Sequence, residues 1–291
     1  MNTEVDDRQP VVVGIDGSDA ALAAARWAAD YADTSGAPLV LLHAVPRLDW
    51  HFLTEKPALA APEDNAADSV LGAAEAAARA QHPALTIRTA IAKDSVTGAL
   101  SDASDGARLL VVGAGTDDGI LGSHIAKITH KARCPVLVWR APVAHRTGKP
   151  LPVVVGIDES EDSRRALTVA FETAHVLHAA VTVVHMWEIA AAVGLGYSQG
   201  LMDWQLLDLL QSQQRQRMEE LVAPLAKLYP NAHVNKIFQD ISPAKGLRDL
   251  SRDAQLVVVG SHGRGKVAAS ALGSVSQTVL HHAECPILVV R

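Results

Sequence analysis

The residues of this 291-residue chain whose types and spacing best suit chemistry lie between Gly260 and Ser274, in the run GSHGRGKVAASALGS. It follows the apolar stretch LVVVG, of which Gly260 is the last residue. Gly260, Gly263 and Gly265 lack a Cβ, so a loop built from them can turn several backbone N–H groups toward one anion. Ser261 and His262 stand inside that loop, and Arg264 and Lys266 would add charge-assisted bonds. A helix starting near Ser274 would contribute free amides and a hydroxyl to the same anion. Phosphate fits this chemistry. From spacing alone, the run also suits a glycine-rich surface turn with solvated cations.

Two standard phosphate motifs fail on this stretch. Read as G-x-x-x-x-G-K, it places Val267 where a magnesium-binding Ser or Thr belongs, and read as G-x-G-x-x-G, it places Ala268 at the third glycine. What survives is Gly260, two residues, Gly263, nine residues, then Gly273-Ser274. Other chemistries have weaker support. The 13 histidines form neither H-E-x-x-H nor a Cys/His cluster with ligand spacing, so no protein-bound metal is expected. There is no G-x-S-x-G elbow for a nucleophilic hydrolase. Ser18 and Ser160 read as helix caps.

The chain that must position this loop repeats itself. VVVGID occurs at 11–16 and again, unchanged, at 153–158, and the register continues from His43 to His185 without a gap. Gly113 then matches Gly260, Gly122-Ser123 matches Gly273-Ser274, and Cys134-Pro135 matches Cys285-Pro286. A period this long means two complete domains rather than a solenoid. The expected division is an N-terminal tail over 1–10, a domain over 11–140, a polar, proline-bearing linker over 141–150 and a second domain over 151–291. Within each copy, short β-branched runs alternate with Ala-rich stretches of helical period. VVVGID is a strand, and the next helix is expected to have Ser18 or Asp19 near its N-cap and Gly36 at its end. TIRTAIA and HVNKIFQ alternate as exposed strands near a sheet edge do. Five strands with intervening helices predict an α/β fold, a doubly wound parallel sheet in each copy.

Together these residues resemble the nucleotide-binding signature of the universal stress protein family. Both copies carry the resemblance: the G-I-D strand end, the His closing the second strand, the V-G before the loop, the Gly-Ser helix start and the C-P-led terminal strand. A tandem member of the ATP-binding branch is implied, with a Rossmann-like, adenine nucleotide alpha hydrolase-like fold and strand order 3-2-1-4-5. Ligands of open α/β sheets bind where the order reverses, here between the first and fourth strands. The resemblance places Gly156 and Asp158 near adenine and ribose and Met186 beside the base. It wraps Gly260, Gly263, Arg264, Gly265 and Lys266 around the phosphates, joined by Gly273, Ser274 and Val275. Magnesium could arrive with the ATP. For Asp158 alone, a helix-capping role is the competing reading.

The first copy departs from this pattern. Its loop, GAGTDDGILGS, is four residues shorter, has Thr116 for the second glycine, lacks the cations and adds Asp117 and Asp118. Two carboxylates repel a polyphosphate. Weak ATP binding or none is therefore expected there, although Gly14, Asp16, Gly113, Gly122 and Ser123 are retained. The leading expectation is a nucleotide-dependent regulator in stress or growth adaptation that presents a surface to an unknown protein partner. A slow ATPase or nucleotidyl-transfer enzyme and a nucleotide-free interaction module are the alternatives. No residue can be assigned as a water-positioning base, so any turnover should be slow.

Bulk properties narrow the partners. The chain is 48% hydrophobic but only 4% aromatic, as in helix-covered parallel sheets. A formal charge of −6 argues against broad capture of nucleic acid or anionic lipid. No run approaches the roughly 18 apolar residues of a membrane span, and the N-terminus has no apolar signal core, so a cytoplasmic protein is expected. Cys134 and Cys285 share a context that reads as buried thiols. Asp49-Trp50 and Asp203-Trp204 read as packing residues that could also frame a ligand mouth. The apolar terminal strands suggest sheet edges, and the resemblance implies homodimer formation through them.

Overall fold

A computed structural model describes residues 9–46, 62–115, 121–141, 150–187, 204–263 and 272–291. The chain forms two compact units, Met1–Ala141 and Pro142–Arg291. In the first, β1 (Val11–Gly14), β2 (Leu39–Ala44), β3 (Ile87–Ala92), β4 (Leu109–Gly113) and β5 (Val136–Trp139) alternate with α1 (Asp19–Ser35), α2 (Pro62–Arg79), α3 (Val96–Ala103) and α4 (Leu121–Lys131). In the second, β6 (Val153–Gly156), β7 (Val181–Met186), β8 (Val234–Gln239), β9 (Leu256–Gly260) and β10 (Ile287–Val290) alternate with α5 (Glu161–Val176), α6 (Trp204–Leu228), α7 (Pro243–Leu250) and α8 (Ser274–His282).

Each unit holds a parallel sheet, in the order β3-β2-β1-β4-β5 in one and β8-β7-β6-β9-β10 in the other. The expected fold, a doubly wound five-stranded parallel sheet in each copy, is what forms. The order reverses between β1 and β4, where Val11 pairs with both Leu39 and Leu109. In the second unit it reverses between β6 and β9, where Val153 pairs with Val181 and Leu256. Central strands are Val/Leu runs because helices cover both of their faces, and Val11, Val13, Val153 and Val155 are fully buried. The alternating strands β3 and β8 take an edge in each unit, as their exposed positions require.

Local signals place the helix after the first strand. Ser18 accepts a bond from the Ala21 N–H at 3.1 Å and Ser160 from the Ser163 N–H at 3.2 Å, so both serines are N-caps. Gly36 closes α1 in the left-handed region at φ 67°, where the second unit holds His178 at φ 51°. The buried face of α1 is almost entirely alanine, from Ala21 to Ala32, which lets the helix lie close to the sheet. Glycine at the end of the fourth strand continues that approach. A Cβ on Gly113 would stand 2.6 Å from the carbonyl carbon of Ala20, and one on Gly260 would stand 2.9 Å from that of Asp162.

Cys134 and Cys285 are buried free thiols, and burial pushes the Cys134 pKa up to about 12. At neutral pH that thiol is not a nucleophile. Among the described residues, no helix is long and apolar enough to cross a membrane.

One contact makes the first unit sensitive to pH. After α2, His82 Nε2 lies 2.6 Å from Asp30 Oδ1 and its Nδ1 lies 3.0 Å from Asp33 Oδ2, both on α1. The hydrogen bond to Asp30, opposed by partial burial and aided by the charge of Asp33, raises the His82 pKa above the ordinary 6.5. A raised folded-state pKa contributes stability that is complete below about pH 6.5 and lost as pH rises through the folded value. Urea unfolding at pH 6 should show His82→Gln less stable than the parent by about 0.5–1 kcal/mol. At pH 8.5 the two proteins should nearly coincide.

Candidate functional site

Asp158 follows β6, and its position is fixed from two sides. His185 Nδ1 donates to the Ile157 carbonyl at 2.9 Å, holding the strand end, and Asp158 Oδ1 accepts the Ser160 N–H at 3.1 Å. Its other oxygen then lies beside the loop after β9, where a Cβ on Gly263 would stand 2.5 Å from Asp158 Oδ2. Glu159, the next residue, is held at φ 69° and pairs with Arg217 of α6 at 3.1 Å. The first unit has Gly17 there, at φ 87°. The capping turn and the approach to the glycine loop are thus two uses of one carboxylate.

Asp162, in the first turn of α5, anchors the start of the loop. Its Oδ2 accepts from the Ser261 hydroxyl at 2.8 Å and from the His262 N–H at 3.1 Å. Ser160 Oγ donates to the His262 carbonyl at 3.3 Å, and Ser276 Oγ on α8 donates to the Gly260 carbonyl at 2.7 Å. Four side-chain bonds from two helices therefore pin residues 260–262 before the loop turns.

Between these elements, at the point where the strand order reverses, lies a crevice of ≈ 260 Å³. Gly156, Asp158, Met186, Gly260, His262, Gly263, Gly273, Ser274 and Val275 all line it, so nine of the sequence-selected positions meet in space. Ser261 is 1% exposed and acts from behind, as a support. Arg264, Gly265 and Lys266 lie outside the described residues. One wall is apolar, made by Met186, Val184, Pro243 and Leu247. Met186 lies so close to α7 that a Cβ on Gly246 would stand 2.1 Å from its sulfur. The opposite end is polar, with the start of α8. Its first-turn amides at Ser274, Val275 and Ser276 have no intrahelical acceptor and carry the positive end of the helix dipole.

The expected amide cradle is narrower than its glycines suggest. The Ser261 N–H goes to the Val290 carbonyl at 2.6 Å, the Gly273 N–H to the Ser261 carbonyl at 2.8 Å and the His262 N–H to Asp162. These three amides hold the loop together. Gly260 likewise serves the packing of α5 first, and it borders the crevice as a consequence. Sequence reasoning passed over Asp162, Ser163, Ser276, Gly246 and Leu247. A signal for three of them was present: in register, Asp162, Ser163 and Ser276 face Ala20, Ala21 and Ile125 of the other copy.

The first unit keeps the strand-end geometry. Asp16 Oδ1 accepts the Ser18 N–H at 2.9 Å, and His43 Nδ1 donates to the Ile15 carbonyl at 2.6 Å. Gly14, Asp16 and Gly113 line a crevice of ≈ 370 Å³. The anchor made by Asp162 has no counterpart, because Ala20 stands where Asp162 does, and Ala114 and Gly115 where Ser261 and His262 do. Helix α4 begins at Leu121, so Gly122 and Ser123 lie inside its first turn, whereas Gly273 is the N-cap of α8. Thr116, Asp117 and Asp118 lie outside the described residues, as do Asp49, Trp50 and Asp203. Among the described residues, no group of three or more His, Cys, Asp or Glu side chains could hold a metal ion.

Comparison with known proteins shows the family and the fold. The model of the universal stress protein family matches residues 7–140 and again 151–291. A universal stress protein of Mycobacterium tuberculosis strain H37Rv is 34% identical over 97% of this chain and 96% of its own length. One from Mycolicibacterium smegmatis is 32% identical over the same shares. Among solved structures, a universal stress protein from Archaeoglobus fulgidus superposes with a TM-score of 0.64 at 18% identity, covering 97% of this chain and 98% of that one.

Proposed function

Since the chain belongs to the universal stress protein family, with the family's domain present twice, we propose that its second unit binds ATP and that the protein acts as a nucleotide-dependent regulator. The observation that carries this reading is the meeting of Asp158, Gly263 and the start of α8 around one crevice at the β6/β9 switch point. Adenine would lie on the apolar wall of Met186 and Leu247, with the ribose hydroxyls at Asp158. The polyphosphate would run past Gly263 to the free amides of α8, where the helix dipole favours an anion. Any magnesium would come with the nucleotide. Self-association would add a second copy of the chain to this reading.

Calorimetric titration of the full chain with ATP tests it, with one site per chain expected. No binding, or two equivalent sites, would overturn the reading. A regulator needs its bound nucleotide to persist, so ATP recovered intact after prolonged incubation is expected as well.

The anchor can be tested separately. Asp162→Ala frees the Ser261 hydroxyl and the His262 amide, and the loop must then be ordered by the ligand itself. An affinity loss of about tenfold, ~1.4 kcal/mol, is expected in the same titration. Asp162→Asn keeps an acceptor oxygen and should lose less. Equal affinity in Asp162→Ala and the parent would show that the anchor does not preorganise the site.

A further inference from the structure

The first unit's crevice lies where the second unit's site lies in its own sheet, yet its chemistry is different. Most polar side chains around the second unit's loop are replaced: Asp162, Ser163 and Ser276 by Ala20, Ala21 and Ile125, and Ser261 and His262 by Ala114 and Gly115, while Ser160 keeps its counterpart in Ser18. These exchanges do not close the space. At the end of the second strand, Met186 against Gly246 becomes Ala44 against Ala99, a small pair in place of a large residue fitted to a glycine. The two crevices measure ≈ 370 Å³ in the first unit and ≈ 260 Å³ in the second. Leu42, Val96, Leu100, Val112, Ile125 and Ile128 give it apolar walls. Among its described lining residues there is no Lys or Arg, and the exposed Asp16 carboxylate stands at its edge.

We propose that this crevice is a second binding site, specific for an uncharged, largely apolar small molecule rather than for a phosphorylated one. Its volume falls in the range of small-molecule sites, and dry apolar walls with a few polar groups at one end are the usual construction of such sites. An anionic ligand would meet Asp16 with no Lys or Arg among the described lining residues to offset it, the lining's only basic groups being the imidazoles of His43 and His124. An uncharged ligand gains from the apolar walls without that repulsion. The site is independent of the nucleotide reading of the second unit, so either can fail alone.

The test is a fluorescence titration of the full chain with the uncharged dye Nile red, with and without saturating ATP. Saturable binding at one site per chain, with an affinity unchanged by ATP, is expected. The double substitution Ala44→Met with Ala99→Gly transplants the second unit's fitted pair and fills the cavity from within. It should weaken Nile red at least tenfold. Val96→Glu puts a charge on a lining residue that is 39% exposed and sits in the first turn of α3, where an acidic side chain suits the helix. Because this change leaves the core intact, it should fold normally and weaken the dye about fivefold even if the double variant does not fold. Absence of saturable binding, displacement of the dye by ATP, or parental affinity in Val96→Glu would overturn the proposal.

Discussion

Gly263→Asp should lower the affinity for ATP about a hundredfold, ~2.7 kcal/mol, while moving the melting temperature by no more than about 2 °C. The reason is the identity of the atom Gly263 faces. A Cβ there would stand 2.5 Å from Asp158 Oδ2, the tip of a side chain that can give up its bond from the Ser160 N–H and swing aside without moving the backbone. Moving it vacates the position assigned to the ribose contact, and the new carboxylate faces the polyphosphate. Gly263→Ala, which crowds Asp158 without adding charge, separates the two effects and should lose about tenfold. Calorimetric titration of the three proteins provides the measurement. Parental affinity in Gly263→Asp would remove Gly263 and Asp158 from the site.

How much of this could be read from residues alone depends on the range of the forces involved. Strand and helix order, the serine caps and the αL glycine at position 36 follow from local sterics and short-range hydrogen bonds, and each forms where expected. The duplicated register located the His185 and His43 donors even though their partners, the Ile157 and Ile15 carbonyls, lie 28 residues away. The partners of individual amides were not legible. Whether the Ser261 N–H faces a ligand or the Val290 carbonyl is decided by the pairing of β9 with β10, which no local pattern encodes. Some tertiary contacts left a trace in the comparison of the two copies. Arg133 pairs with Asp105 at 3.0 Å, and at the matching positions Glu284 pairs with Arg252 at 2.8 Å, the same contact with its charges exchanged. The exchange of Asp162, Ser163 and Ser276 for Ala and Ile is a trace of the same kind, left by side-chain contacts that one copy makes and the other lacks.

Gly113 and Gly263 look alike as loop glycines in the sequence, and the structure predicts opposite phenotypes for them. Gly113→Ala should destabilise the first unit by about 3 kcal/mol and leave ATP binding to the second unit unchanged. A Cβ on Gly113 would stand 2.6 Å from the carbonyl carbon of Ala20 and 2.7 Å from the Ala21 nitrogen, both backbone atoms at the start of α1. No rotamer relieves that contact, so α1 must shift as a body. Its buried alanines, Ala24, Ala25, Ala28 and Ala29, are each 0% exposed and leave no slack for the movement. Gly106→Ala provides the scale for a purely conformational penalty. Gly106 sits at φ 80°, a Cβ there would meet nothing within 4 Å, and its substitution should cost about 1 kcal/mol. Urea denaturation followed by tryptophan fluorescence in a Trp187→Phe/Trp204→Phe background, where first-unit tryptophans such as Trp27, stacked on Tyr31 at 5.4 Å, carry the signal, reads both variants. A Gly113→Ala midpoint equal to the parent's would mean that this glycine is kept for a ligand and not for the approach of α1 to the sheet.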